Sequence, residues 1–190
     1  MSSDGRATSP PLGTPFAVAD GIALVTPSAG VEIIGYHQAN HDGTRQFEEQ
    51  PGTVTSLTLE SRERGTQARS AADVVVDPEL PVYAPVSGVV LRAGGYTLYC
   101  DNTDSFVVIE PEGRSGIEVK ILHILANEVN AGDAVVAGET RIAPGPTPLP
   151  FISQVDEFSA EPSWPHVHIE VVDTSIPDIA NPSSSGSGNC

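Results

Sequence analysis

The sequence predicts an all-β protein, and three observations carry that prediction. Short runs of β-branched or alternating residues follow one another along the chain, Gly, Pro, Asn and Asp punctuate them, and no long window has the apolar period of a helix. In chain order the runs are IALVTP, VEIIGY, TVTSLTLE, DVVVDP, GVVLRAG, YTLYC, SFVVIE, IEVKILHI, DAVVAG and HVHIEVV. Each has strand length and ends at residues that break strands. The interval 144–165, PGPTPLPFISQVDEFSAEPSWP, departs from this spacing and offers only a short helical candidate at FISQVDEF. Loops of this length often wall or cover a site. That is the expectation for this one, with a plain surface loop as the alternative.

The totals bound the function. A chain of 190 residues fits one domain, and it contains no apolar run long enough to span a membrane. With 25 acidic against 9 basic residues the formal charge is −16, which disfavours nucleic acid and anionic lipid as partners and serves solubility. The opening MSSDGRATSPPLGTPF has no charged segment followed by an apolar one, so export is not read from it. Cys100 and Cys190 are too few for a disulfide scaffold. They are either a pair that anchors the tail in an oxidising compartment or two free thiols in a reducing one. No heptad pattern announces an oligomer.

The stretch WPHVHIEV concentrates the chemistry. Side chains alternate along a strand, so His166, His168 and Glu170 share one face while Val167, Ile169 and Val171 share the other. The apolar set faces a core and the imidazoles line a groove. Paired histidines on one strand face point to metal binding or proton transfer. A third histidine, His123 in IEVKILHI, falls by the same alternation on the face of Val119 and Ile121. Upstream, His37, His41 and Asp42 in VEIIGYHQANHDG form a second polar cluster ending in a turn signal, which reads as solvated loop histidines.

Four segments, PVYAPVSGVV (81–90), VKILHI (119–124), VNAGDAVVAGETRI (129–142) and PHVHIEV (165–171), resemble in order and spacing the lysostaphin-type, or LytM-like, zinc metallopeptidases of bacterial cell walls. The resemblance covers about residues 69–172. It implies a duplicated hybrid-motif β-sheet or sandwich with an open groove and long flanking loops. The implied division is a flexible tail 1–15, a β extension 16–68 packed on the core, a peptidase-type domain 69–173 and a flexible tail 174–190. In that family an H-x-x-x-D motif before the PVYA strand gives two zinc ligands, and the second histidine of H-x-H gives the third. By position, Asp73 and His168 are ligands, and His123 and His166 orient the attacking water and stabilise the oxyanion. An envelope or extracellular location, and peptidoglycan peptides as substrate, are implied in the same way.

The chain departs from the family at the first ligand, where Arg69 stands in place of histidine. A guanidinium has no lone pair to give a metal. At about 4 Å from a divalent ion it costs roughly twice the ~4 kcal/mol of a unit pair. In an extended segment Arg69 and Asp73 share a face, so the expectation is an ion pair where the metal sits in the family. If the upstream loop folds over the groove, His37 or His41 is instead the substitute ligand. Two functions remain from this reading: a zinc endopeptidase with an altered ligand set, or a non-catalytic envelope module that binds wall fragments or a cell-wall hydrolase. A lipoyl-type carrier is set aside, because the only lysine, Lys120, lies inside a strand run rather than at a hairpin tip.

Overall fold

The computed structural model describes Arg6 and residues 8–98 and 101–179. Cys100 and Cys190, and so the pairing considered for them, lie outside the described residues, as do parts of both tails. The chain opens with the hairpin β1 (Pro15–Ala19) and β2 (Ile22–Val25), continues through β3 (Val31–His37), and adds the short β4 (Phe47–Glu49) and β5 (Ser56–Thr58). Next come β6 (Ala71–Val76), β7 (Val82–Tyr83), β8 (Gly88–Leu98), β9 (Asn102–Pro111) and β10 (Ile117–Ile124). Two short strands, β11 (Ala134–Val135) and β12 (Arg141–Ala143), precede a 3-10 turn at Gln154–Phe158 and the last strand, β13 (His166–Asp173). The expected all-β class is what the structure shows.

Eight strands form one sheet in the order β11-β8-β9-β10-β13-β6-β3-β5, and β2-β1-β4 form a smaller one. Phe16, Leu24 and Phe47 from the smaller sheet join Ile34, Val74 and Ile169 from the larger in one buried core. On the opposite face of the large sheet, Ile33, Leu59, Val75 and Val155 make a second cluster against Trp164. Strands β3 and β6, both interior to the large sheet, are therefore buried along their whole length. That double burial explains why they read as continuous runs, VEIIGY and DVVV, rather than as alternating ones.

The runs GVVLRAG and YTLYC, read separately, belong in the structure to the single strand β8 as far as Leu98, antiparallel to β9 along its length. Gly94 and Gly95 between them look like a break in the sequence, but continuous pairing with β9 overrides their weak strand propensity. FISQVDEF yields only the 3-10 turn, whose Val155 packs over β3. Gly35 makes this close approach feasible: a Cβ there would stand 2.8 Å from Val155 Cγ2.

Candidate functional site

Strand register brings the site together. β6 lies between β13 and β3, with Asp73 opposite His168 on one side and Gly35 on the other. Two residues beyond Gly35, and so on the same face, stands His37. On β13 the expected alternation holds: Val167, Ile169 and Val171 are fully buried in the core, and His166, His168 and Glu170 line a cleft. Each of those buried aliphatic side chains contributes roughly 1.5–3 kcal/mol. A one-residue slip would exchange the two faces, so the core fixes where the imidazoles point.

His37, Asp73 and His168 form a group able to hold a metal ion, with one donor atom from each lying within 4.8 Å of the others. His168 Nδ1 is 2.8 Å and His37 Nε2 is 3.1 Å from Asp73 Oδ1. The far nitrogens are already committed. His37 Nδ1 donates to the Gln38 carbonyl at 2.8 Å, and His168 Nε2 faces Glu170 Oε1 at 3.0 Å. When its one proton sits on Nδ1, His37 presents a bare lone pair at Nε2, a buried atom that meets no hydrogen-bond donor among the described residues. Two acceptors then face one another, an arrangement that a cation between them relieves. Two imidazoles and a carboxylate, each imidazole oriented by an acceptor behind it, fit a divalent metal that takes nitrogen and oxygen ligands.

The charges follow from burial and contact. Burial pushes the Asp73 carboxyl up, but the surrounding imidazoles, His166 and His37 first and the His168 hydrogen bond after them, hold it well below the usual carboxylate range. Burial pulls His168 down, and its hydrogen bonds to Asp73 and Glu170 more than reverse this, raising it to about 10. His166, with Nε2 at 3.6 Å from Asp73 Oδ1, is brought down to about 4 by burial. At neutral pH it is an uncharged imidazole beside the His37, Asp73 and His168 group.

His123 reaches the same place by a different route. Simple alternation sets it with Val119 and Ile121, both fully buried in the core, and the structure corrects that reading. The pairing of β10 with β9 shifts between Leu122 and Ile124, His123 adopts φ 61°, and its ring emerges in the cleft beside Lys120 and Leu122. A non-glycine residue in the left-handed region persists only where its surroundings hold it. Here Asp104 of β9 does so, accepting from His123 Nδ1 on Oδ2 at 2.7 Å and from the Tyr96 hydroxyl on the same oxygen. Its other oxygen accepts from Thr147 Oγ1 at 2.7 Å and from the Ser105 amide at 2.9 Å. Burial raises the Asp104 carboxyl, yet these bonds, led by the one from His123, hold it below its ordinary value. The His123 ring lies 5.3 Å from that of His166 and 5.9 Å from that of His168.

Asp104 is a residue that sequence reasoning missed. Its signal was there, an aspartate just before the run SFVVIE, since aspartate is depleted in strands.

Arg69 does not pair with Asp73. It donates from Nε to Thr58 Oγ1 at 2.7 Å, pairs through Nη1 with Glu49 at 3.2 Å and lies over the Tyr36 ring. β6 begins only at Ala71, and Ser70 closes a turn onto Gln67, so the two-residue alternation does not extend back to position 69. Of the proposed substitutes, His37 is not a loop residue but the buried end of β3, while His41 sits in the following turn with Nδ1 accepting from the Gly43 amide. Another arginine comes closer: Arg62 Nη2 is 3.7 Å from Asp73 Oδ2.

The cleft has a volume of about 670 Å³, and Leu149, Phe151, Ile152, Ser153 and Gln154 form one of its walls. The 144–165 loop is thus a wall of the site.

No family model matches this chain, and no curated protein matches it. Among solved structures it is similar to one titled as a novel M23 metalloprotease, pseudoalterin, from the deep sea, at 19% identity and a TM-score of 0.36, over 64% of this chain and 65% of that one. A likeness that distant leaves the chemistry to be argued from the residues of the cleft.

Proposed function

We propose that the protein is a zinc-dependent peptide hydrolase of the cell envelope, acting on peptide cross-links of peptidoglycan. The observation that carries this reading is the convergence of His37, Asp73 and His168 on one point beside an imidazole whose Nδ1 is held by a buried carboxylate. Zinc, when bound to three protein groups, supplies a Lewis acid that lowers the pKa of water and polarises a carbonyl. Asp104 keeps a proton on His123 Nδ1 and leaves Nε2 to exchange protons with a substrate in the cleft. In this reading His166, neutral and buried, donates a hydrogen bond to negative charge developing on the substrate oxygen. The substrate class rests on the resemblance of PHVHIEV and the segments before it to wall peptidases. No helix among the described residues is long and apolar enough to cross a membrane.

A second reading, a metal-free module that binds wall fragments or a wall hydrolase, draws on Arg62, whose guanidinium lies near the free oxygen of Asp73. Calorimetric titration of chelator-stripped protein with zinc separates the two. The hydrolase reading expects one-to-one binding, followed by release of new amino groups from purified peptidoglycan. Absence of both leaves the binding module.

A further inference from the structure

The chain carries nine basic residues against a formal charge of −16, and their placement is uneven. Arg6, Arg45, Arg69, Arg92, Arg114 and Arg141 each pair with a carboxylate away from the cleft. The other three, Arg62, Arg64 and Lys120, all line the cleft. The acids among its lining residues are Asp73 and Glu170; both are engaged by His168, and Arg62 Nη2 also lies 3.7 Å from Asp73 Oδ2, so three cations face two carboxylates already held by a histidine. In a strongly acidic molecule this cleft is therefore a local concentration of positive charge, and a bound divalent ion adds to it.

The arginines are held in place. Gln38, the residue after the ligand His37, accepts on Oε1 from the backbone amides of Arg62 at 2.8 Å and Arg64 at 3.4 Å. Its carbonyl, which also accepts a hydrogen bond from His37 Nδ1, accepts from Arg64 Nη1 at 2.8 Å. Arg62 Nε donates to Gln154 Oε1 of the loop wall at 3.0 Å. One glutamine thus ties a ligand histidine to two guanidinium groups. Leu98, Leu122, Leu149, Phe151 and Ile152 supply apolar surface to the same cleft, Ile152 being 83% exposed.

We propose that the cleft selects peptides carrying a carboxylate, which Arg62 and Arg64 receive, together with an apolar side chain that rests on the leucines and on Phe151 and Ile152. That the carboxylate lies next to the scissile bond rests on the hydrolase reading; the selection of an acidic peptide does not. Planar guanidinium pairs suit carboxylate geometry, and an apolar wall beside them lowers the competition from water. A terminal carboxylate and a Glu side chain offer the same group.

The test is equilibrium binding of three peptides to the zinc-loaded protein: N-acetyl-Ala-Leu-Ala with a free C-terminus, the same peptide as an amide, and N-acetyl-Glu-Leu-Ala amide. One or both acidic peptides should bind roughly tenfold or more tightly than the neutral amide. The free acid alone being preferred identifies a terminal carboxylate, and the Glu peptide alone identifies a side chain. The preference should collapse in Arg62→Gln/Arg64→Gln and survive in part in Arg62→Lys/Arg64→Lys, which keeps the charge and controls for folding. Equal binding of all three peptides overturns the proposal. So does a preference that persists in the glutamine variant, because the ion or Lys120 would then be the receptor. Hydrolysis is scored separately on the same peptides. Selective binding without turnover sinks the hydrolase reading alone, whereas turnover with no preference for acid sinks this one alone.

Discussion

The ligand side of the cleft and the side that carries His123 belong to one sheet but are built by opposite means. β3, β6 and β13 hold Asp73 in plain register, opposite His168 and Gly35, and each proposed ligand lies where strand alternation puts it. On β10 the register breaks, and His123 leaves the face of Val119 and Ile121 through a left-handed residue held by Asp104. Regular pairing fixes donor atoms relative to one another, which metal binding requires. A bulge turns one side chain away from its neighbours, which suits a group that must meet substrate. The difference teaches that a sheet can position candidate ligands without strain, while the proposed proton-transfer group stands on a local departure that a buried carboxylate stabilises.

The sharpest way to break the comparison is on the ligand side. Asp73→Ala and His37→Ala should each weaken zinc binding by more than the roughly 10–100-fold typical of an outer partner, as read by calorimetry. Retention of affinity in His37→Ala would show that β3 does not complete the site. On the other side, Asp104→Asn should lower kcat by roughly 100-fold or more while zinc affinity stays within the error of the parent. Loss of both together would mean the two halves are not separable.

Glu170→Gln sharpens the ligand side further. Removing the charge behind His168 Nε2 should cost roughly 10–100-fold in zinc affinity. The same histidine makes zinc affinity depend on pH. In the metal-free protein His168 is protonated below about 10, and a nitrogen must lose its proton before it can bind metal. Zinc affinity should therefore rise with pH between about 7 and 10, by about tenfold per unit while one proton is released. An affinity flat across that window would show that His168 does not gate binding.

The smallest effect is expected at the position that looked decisive in the sequence. Arg69 is a half-exposed residue paired with Glu49, so Arg69→His should leave zinc affinity unchanged and cost about 0–1 kcal/mol of stability in chemical denaturation. A large gain in affinity would mean that position 69 can still reach the metal point.

Much of this was legible before the fold. The all-β class, the two faces of β13 and the unusual 144–165 loop follow from patterns within single segments, whereas Asp73 and His168 enter as proposed ligands only through the family resemblance. Two of the misreadings share a cause. Arg69 was extrapolated along a strand that begins only at Ala71, and His123 along a strand that bulges at that residue. Asp104 and Arg62 were missed because each acts on a partner that lies 19 and 11 residues away, His123 and Asp73.

What the sequence determined by itself is periodicity: which residues of a strand share a face, and hence that imidazoles stand opposite a buried aliphatic row. Only the tertiary structure decided which strands lie side by side. β3 pairs with β6, and that placement sets His37 beside Asp73 across a gap of 36 residues. Alternation is a local property of the backbone, whereas strand order and bulges are set by the packing of two sheets around one core, which no single segment encodes.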